Sequence, residues 1–216
     1  MYGGSAEIIE VENQPMAEAD NGSWKFELAE FKSEGGPRGE KVGLTGDLGV
    51  FGPVRVERFP LYDPLDRGMD SARLIGPAFP ETIFRGKRRS GQPSLFRAEL
   101  MVAGKLAELR FNSRALRKEA RRLRIVCGGR MYTYSVAGLG RPRVLERDGA
   151  KVEIETGVYL PPTGYISPGE ATGAVDAVDL AIAIVLEEVD TDVLTLTGTA
   201  MSSPFALMHY LSDTGG

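Results

Sequence analysis

The chain has 216 residues, 42% of them hydrophobic and 26% charged, with one cysteine and one histidine. That is enough apolar material for one core, and too much for a chain that stays disordered. The lone cysteine rules out a disulfide framework and a cysteine-rich metal site, and a net charge of −4 weighs against high-affinity nonspecific DNA binding.

That net charge conceals three blocks. Residues 1–84 carry 8 Lys/Arg against 15 Asp/Glu, residues 85–151 carry 18 against 5, and residues 152–216 carry none against 10. A basic block of net +13 between flanks of −7 and −10 has two readings. Basic strands can pair with acidic segments of the same chain. Alternatively, the block forms a positive patch for phosphate, nucleic acid or acidic lipid.

In chain order, residues 1–22 predict a flexible acidic arm, low in hydrophobicity and rich in carboxylates. The arm lacks the apolar core of a secretory leader, which predicts a cytoplasmic protein. Trp24–Phe31 alternates Trp24, Phe26 and Leu28 against Lys25 and Glu27, then loses the pattern, so a strand bulged near Ala29 is expected. Ser33–Glu40 reads as a turn. Val42–Phe59 reads as two or three short strands broken by Gly46, Gly49 and Gly52-Pro53. Pro60–Pro80, rich in Pro, Asp and Gly, reads as irregular, and Gly86–Pro93 as a basic loop.

Three hairpins follow. Leu95–Val102 and Leu106–Phe111 flank Ala103-Gly104; Leu123–Cys127 and Arg130–Val136 flank Gly128-Gly129; Val144–Arg147 and Lys151–Thr156 flank Asp148-Gly149. Gly-Gly and Asp-Gly between alternating runs are hairpin signals. Between the first two hairpins, Asn112–Arg122 places Leu116, Ala120 and Leu123 at helical spacing, with Arg114, Arg117, Lys118, Arg121 and Arg122 on the outer face. Gly157–Gly173 reads as a Pro/Gly loop. Ala174–Leu186 is apolar nearly all round and far short of a membrane span, so it predicts a buried helix, with Thr172 or Asp176 as cap and Asp179 completing a capping box. Val193–Thr197 suggests a strand, and Pro204–Leu211 a last helix after Ser202/Ser203.

Candidate chemistry is sparse. His209 stands alone near the C-terminus, and no serine sits in a G-x-S-x-G elbow. Cys127 ends an apolar strand, which predicts a buried thiol despite nearby Arg124 and Arg130. Asp63, Asp66 and Asp70 lack EF-hand spacing, and Gly46, Gly49 and Gly52 precede a strand, so they offer no helix-end amides to a phosphate. Tyr132 and Tyr134 are expected to face the core. What remains is an anion-binding set, Arg110, Arg114, Arg117, Lys118, Arg121, Arg122, Arg124 and Arg130, with Lys87, Arg88 and Arg89 nearby in sequence.

The meander from Leu95 to Leu186, with hairpins CGGRMYTYSV and VLERDGAKVEIE before an apolar helix, resembles the tubby C-terminal-like barrel, including its LURP-one and scramblase-related group. The resemblance implies an antiparallel barrel around a hydrophobic C-terminal helix. It also implies, for some members, basic residues that bind phosphoinositide head groups. The stretch from Arg141 to Gly198 is similar to uncharacterised proteins of GC-rich bacteria, and the excess of Arg over Lys, 19 to 7, has the same flavour.

The expected protein is therefore a single α+β domain over 23–216. It is antiparallel and β-rich, a barrel-like meander enclosing or packed on the apolar helix. The expected function is non-catalytic: docking of an acidic protein surface, of the protein's own acidic segments in an oligomer, or of a phosphate-bearing ligand. No cofactor, metal or catalytic residue is assigned. Two alternatives stand beside it. One is a small-molecule-binding protein or enzyme with a carboxylate site under the 157–173 loop. The other is nucleic-acid binding through the basic segment.

Overall fold

A computed structural model describes residues 22–36, 39–60, 68–112, 121–136, 138, 141–161 and 164–195. The 1–21 arm, Asp63, Asp66, the centre of the expected Asn112–Arg122 helix, the last helix and His209 lie outside these residues.

The strands are β1 (Ser23–Gly36), β2 (Gly39–Asp47), β3 (Pro53–Pro60), β4 (Met69–Ile75), β5 (Thr82–Arg89), β6 (Gln92–Pro93), β7 (Glu99–Val102), β8 (Lys105–Arg110), β9 (Leu123–Cys127), β10 (Arg130–Val136), β11 (Arg143–Arg147), β12 (Ala150–Ile154), β13 (Val158–Leu160) and β14 (Gly164–Gly173). Twelve of them form an antiparallel barrel in sequence order, closed where β14 pairs with β1. The short β6 pairs only with β5, and β13 only with β14. Among the described residues, one α-helix, α1 (Ala177–Glu187), stands inside the barrel.

The barrel wall follows from alternation. Leu123, Ile125 and Cys127 are buried while Arg124 and Val126 are exposed; Tyr132 and Tyr134 are buried on β10. Closing a sheet removes its edges, so every inward side chain needs a partner in the middle. The helix supplies it: Leu180 through Leu186 are all buried and pack on residues from every part of the wall. The capping box forms as the spacing predicts, with Asp176 accepting from the amides of Val178 and Asp179, and the Asp179 carboxylate accepting from the Asp176 amide.

The three expected hairpins form. At Gly128-Gly129 both residues have positive φ, +57° and +80°, which glycine adopts without strain. Ala103 takes φ +50° in the equivalent place of the first hairpin. That hairpin is shorter than its sequence pattern, because β7 starts at Glu99 and the chain from Leu95 to Ala98 turns beforehand.

Five expectations are corrected. The Gly86–Pro93 stretch is the end of β5 and the short β6, which pair with each other around Ser90-Gly91. The Gly157–Gly173 stretch is two strands, β13 and β14, and β14 is the closing stave of the barrel. Its glycine serves packing: a Cβ on Gly169 would lie 2.3 Å from the Phe26 ring directly across the ladder. Its Pro168 sits just past the end of β12, and its carbonyl accepts from the Glu155 amide at 2.8 Å. The Pro60–Pro80 stretch contains β4, whose Asp70 and Ser71 are buried, so polar residues there masked a strand. The register irregularity of β1 lies at Ser33–Gly36, while Ala29 is the residue that pairs with both Ile166 and Thr45. The pattern is lost near Ala29 because the strand changes partner there. Val193 falls in a short 3-10 turn, Asp192–Leu194, that buries Val193 and Leu194.

Ile182 is fully buried at the middle of α1. Ile182→Ala is expected to cost roughly 2–5 kcal/mol through lost contact and a residual cavity. Urea denaturation measures it as a lower midpoint at unchanged slope, whereas a surface helix would show almost no change.

Candidate functional site

The apolar helix is held at both ends by charge. At its N-terminus, Arg147 donates through Nε and Nη2 to the two Asp179 oxygens at 2.8 and 2.7 Å, and Tyr132 donates to the same carboxylate at 3.1 Å. Arg130 reaches Asp176 at 2.6 Å and lies 3.5 Å from Asp179. Acids at a helix N-terminus also meet the positive end of its dipole. At the other end Arg143 bonds Glu187 at 2.5 Å, Arg58 pairs with Glu188, and Arg89 lies 3.4 Å from Asp190. Acids there oppose the dipole, so the wall arginines compensate for both charge and burial.

These contacts account for part of the charge division. Arg89, Arg130, Arg143 and Arg147 belong to the basic block, and their partners Asp176, Asp179, Glu187 and Asp190 to the acidic last segment. With Lys151 on Glu153 and Arg88 on Asp70 of the acidic first segment, internal complementarity engages six of the block's cations.

Burial tunes the groups in this shell. It pushes the Glu187 carboxyl up to about 7; the Arg143 charge opposes this, and the neighbouring Glu188 charge adds to it. One arginine does not replace the water lost by a carboxylate whose Oε1 has no hydrogen-bond partner. Glu188 is raised for the same reason, with Arg58 opposing. Tyr132 is pushed up to about 12, first by burial, with Arg130 opposing and Asp179 assisting. At Asp176 burial acts upward, but hydrogen bonds from Arg130 and from helix amides win and hold the carboxyl below its usual range. Cys127 is buried and its thiol is raised by burial, more than Arg130 and Lys105 lower it. A raised thiol is a poor nucleophile. Asp70 is buried in β4, where Arg88 grips both its oxygens at 2.6–2.8 Å.

The eight residues of the expected anion-binding set divide by position. Arg110, Arg122 and Arg124 are exposed on the outer wall. Arg110 and Arg124 stand directly opposite each other across the β8–β9 ladder. Arg110 has Glu108 at 2.5 Å, whereas no described residue pairs with Arg124. Arg121 does not take the outer face: it is 3% exposed, and its Nε and Nη1 have no hydrogen-bond partner. The inward parity of Leu123 and Ile125 extends to it along the chain. Arg130 is committed to the helix cap. Arg114, Arg117 and Lys118 lie outside the described residues, in the connection between β8 and β9.

One feature was not legible from the sequence. Glu153 on β12 and Glu170 on β14 are also directly opposed across a ladder. With Lys25, Glu155, Pro168 and Gly169 they line a shallow outer pocket of about 120 Å³. Lys151 holds Glu153 at 2.6 Å, and Ser23 donates to Glu170. This is where the carboxylate alternative would have its site. The pocket is well under the roughly 300–1,000 Å³ of ordinary small-molecule sites, and no metal-holding group of His, Cys, Asp or Glu occurs among the described residues. No helix among them is long and apolar enough to cross a membrane.

Comparison with protein-family models, with curated proteins and with solved structures finds no match to this chain. The class defined by its own coordinates is a closed antiparallel barrel with an apolar helix inside.

Glu187 links the shell to pH. Its folded-state value lies above its unfolded one, so its contribution to stability is full below about pH 4.5 and is lost as pH rises toward 7. Glu187→Gln keeps an oxygen for Arg143 and removes the titration. Thermal unfolding at pH 5 and pH 7.5 should show a smaller loss of stability with rising pH in the variant, by on the order of 1–3 kcal/mol. Equal pH dependence in both proteins would mean that Glu187 stays charged.

Proposed function

We propose that this protein is a non-catalytic docking module that binds an anionic partner on the outer wall of β8 and β9. The observation that carries this reading is the directly opposed pair Arg110 and Arg124, with Arg122 exposed beside them. Like charges across a ladder repel. A bound anion spanning both guanidinium groups turns that repulsion into two charge-assisted hydrogen bonds. The sequence adds Arg114, Arg117 and Lys118 in the connection between the same two strands.

Two further points support a surface mode of binding. The barrel's interior is filled by α1 and the side chains packed on it, so a partner meets the outside. The arrangement of an apolar helix within an antiparallel barrel also fits the tubby-like resemblance, in which some members take phosphate-bearing head groups through basic residues. That analogy favours a phosphate or carboxylate ligand without choosing its bearer.

Titration with inositol hexakisphosphate and with polyglutamate at low salt tests the proposal. Binding of at least one probe is expected to weaken steeply as salt rises. Arg110→Ala with Arg124→Ala should weaken it about tenfold or more while the melting temperature holds. No binding of either probe at low salt, or unchanged binding by a folded double variant, would overturn it.

A further inference from the structure

We infer that the anionic partner of the arginine wall is a second copy of this chain, presented through Glu153 and Glu170. This rests on the docking reading above and assigns its occupant.

The two walls are chemical counterparts. Arg110 and Arg124 are a cross-strand pair of cations, and Glu153 and Glu170 a cross-strand pair of anions. Directly opposed residues in any antiparallel ladder have Cβ atoms about 4.5–5.5 Å apart, so the two pairs share one spacing. Each is only partly compensated within its own chain: Glu108 sits on Arg110, Lys151 holds Glu153, and Lys25 stands opposite Glu170 across the β1–β14 ladder. Brought together, each guanidinium can face one carboxylate, and each such pair can take the bidentate form that arginine favours. The carboxylate side is concave, with Glu153, Glu155 and Glu170 outnumbering Lys25 around a pocket of about 120 Å³, a net acidic shape for projecting arginine heads. Glu155 and Glu27 are exposed near it and add to the field.

Each wall also carries exposed apolar side chains. On the arginine wall these are Leu106 (70% exposed), Met131 (66%) and Val126 (39%), with Val126 paired both to Met131 and to Glu108. On the carboxylate side, Val158 and Leu160 are exposed on β13, which pairs with β14 at Gly164–Ile166, four or more residues along the strand from Glu170. Interfaces combine such apolar area with a few charged contacts. Exposed apolar residues and partly compensated charge on both walls are what a mutual contact would cover.

The walls lie apart on the same molecule. From β8–β9 to β12–β14 is four steps around a barrel of twelve strands. A contact between them is therefore heterologous: after pairing, one copy retains a free carboxylate wall and the other a free arginine wall. Such contacts extend to rings or open chains, not to a closed two-fold dimer.

Sedimentation velocity on the full chain, over a concentration series, tests this. At low salt the mean mass should rise with concentration beyond a dimer, and about 0.5 M NaCl should return it to the monomer, since salt screens exposed charge. Arg110→Glu with Arg124→Glu should sediment as a monomer, and so should Glu153→Arg with Glu170→Arg. An equimolar mixture of these two variants should associate again, because each retains the wall that the other has inverted. Circular dichroism confirms that both variants are folded. A native protein that stays monomeric at low salt overturns the inference, as does a folded pair of variants that fails to associate on mixing. If the monomeric native protein still binds inositol hexakisphosphate through Arg110 and Arg124, only the occupant is wrong and the docking wall stands. If it neither associates nor binds, both fall.

Discussion

The structure depends on enclosing an apolar helix that has no polar face of its own. Seven consecutive residues, Leu180 to Leu186, are out of water, and only a closed wall achieves that on all sides. Closure in turn requires β14 to reach β1, which brings the last strand before the helix beside the first strand of the domain. The hydrophobic effect has no direction, so it cannot set how deep the helix sits or how it is turned. Direction comes from the ends. Arg147, Arg130 and Tyr132 fix Asp179 and Asp176; Arg143 and Arg58 fix Glu187 and Glu188.

Those clamps are costly to form and more costly to break. A buried carboxylate loses its water, and its arginine returns only part of that energy unless other hydrogen bonds complete the shell. The shell is complete around Asp179, which bonds Arg147, Tyr132 and its own cap amide. It is incomplete around Glu187, which leaves one oxygen unpartnered. The two ends of the helix therefore differ in kind. One is a saturated cap aligned with the helix dipole. The other is an acidic end set against it, neutralised from the wall and sensitive to protons.

Among the described residues the interior is occupied by the helix and the thiol is buried, so the docking reading concerns the outer surface. There the barrel carries two like-charged ladders, one basic and one acidic, with exposed apolar residues on both walls. Within one molecule each is compensated only in part, by Glu108 on Arg110 and by Lys151 on Glu153. Both become favourable on contact with opposite charge, which is why the docking reading attaches to them rather than to the larger number of arginines already committed inside.

Much of the architecture was legible in the sequence because it is written in local signals. The apolar run declares a buried helix, Asp176 and Asp179 declare its cap, and Gly-Gly and Asp-Gly between alternating strands declare hairpins. Local signals failed where residues serve distant partners. Gly169 and Pro168 read as loop punctuation, yet Gly169 makes room for Phe26 from far along the chain. Asp70 reads as a turn former, yet Arg88 holds it inside a strand. The charge blocks show the same division. Their sum and order are properties of the sequence. Which arginines face the helix, which face water, and which stand opposite another arginine are set by strand register and closure, because a β-ladder places side by side residues whose separation along the chain carries no trace of their meeting.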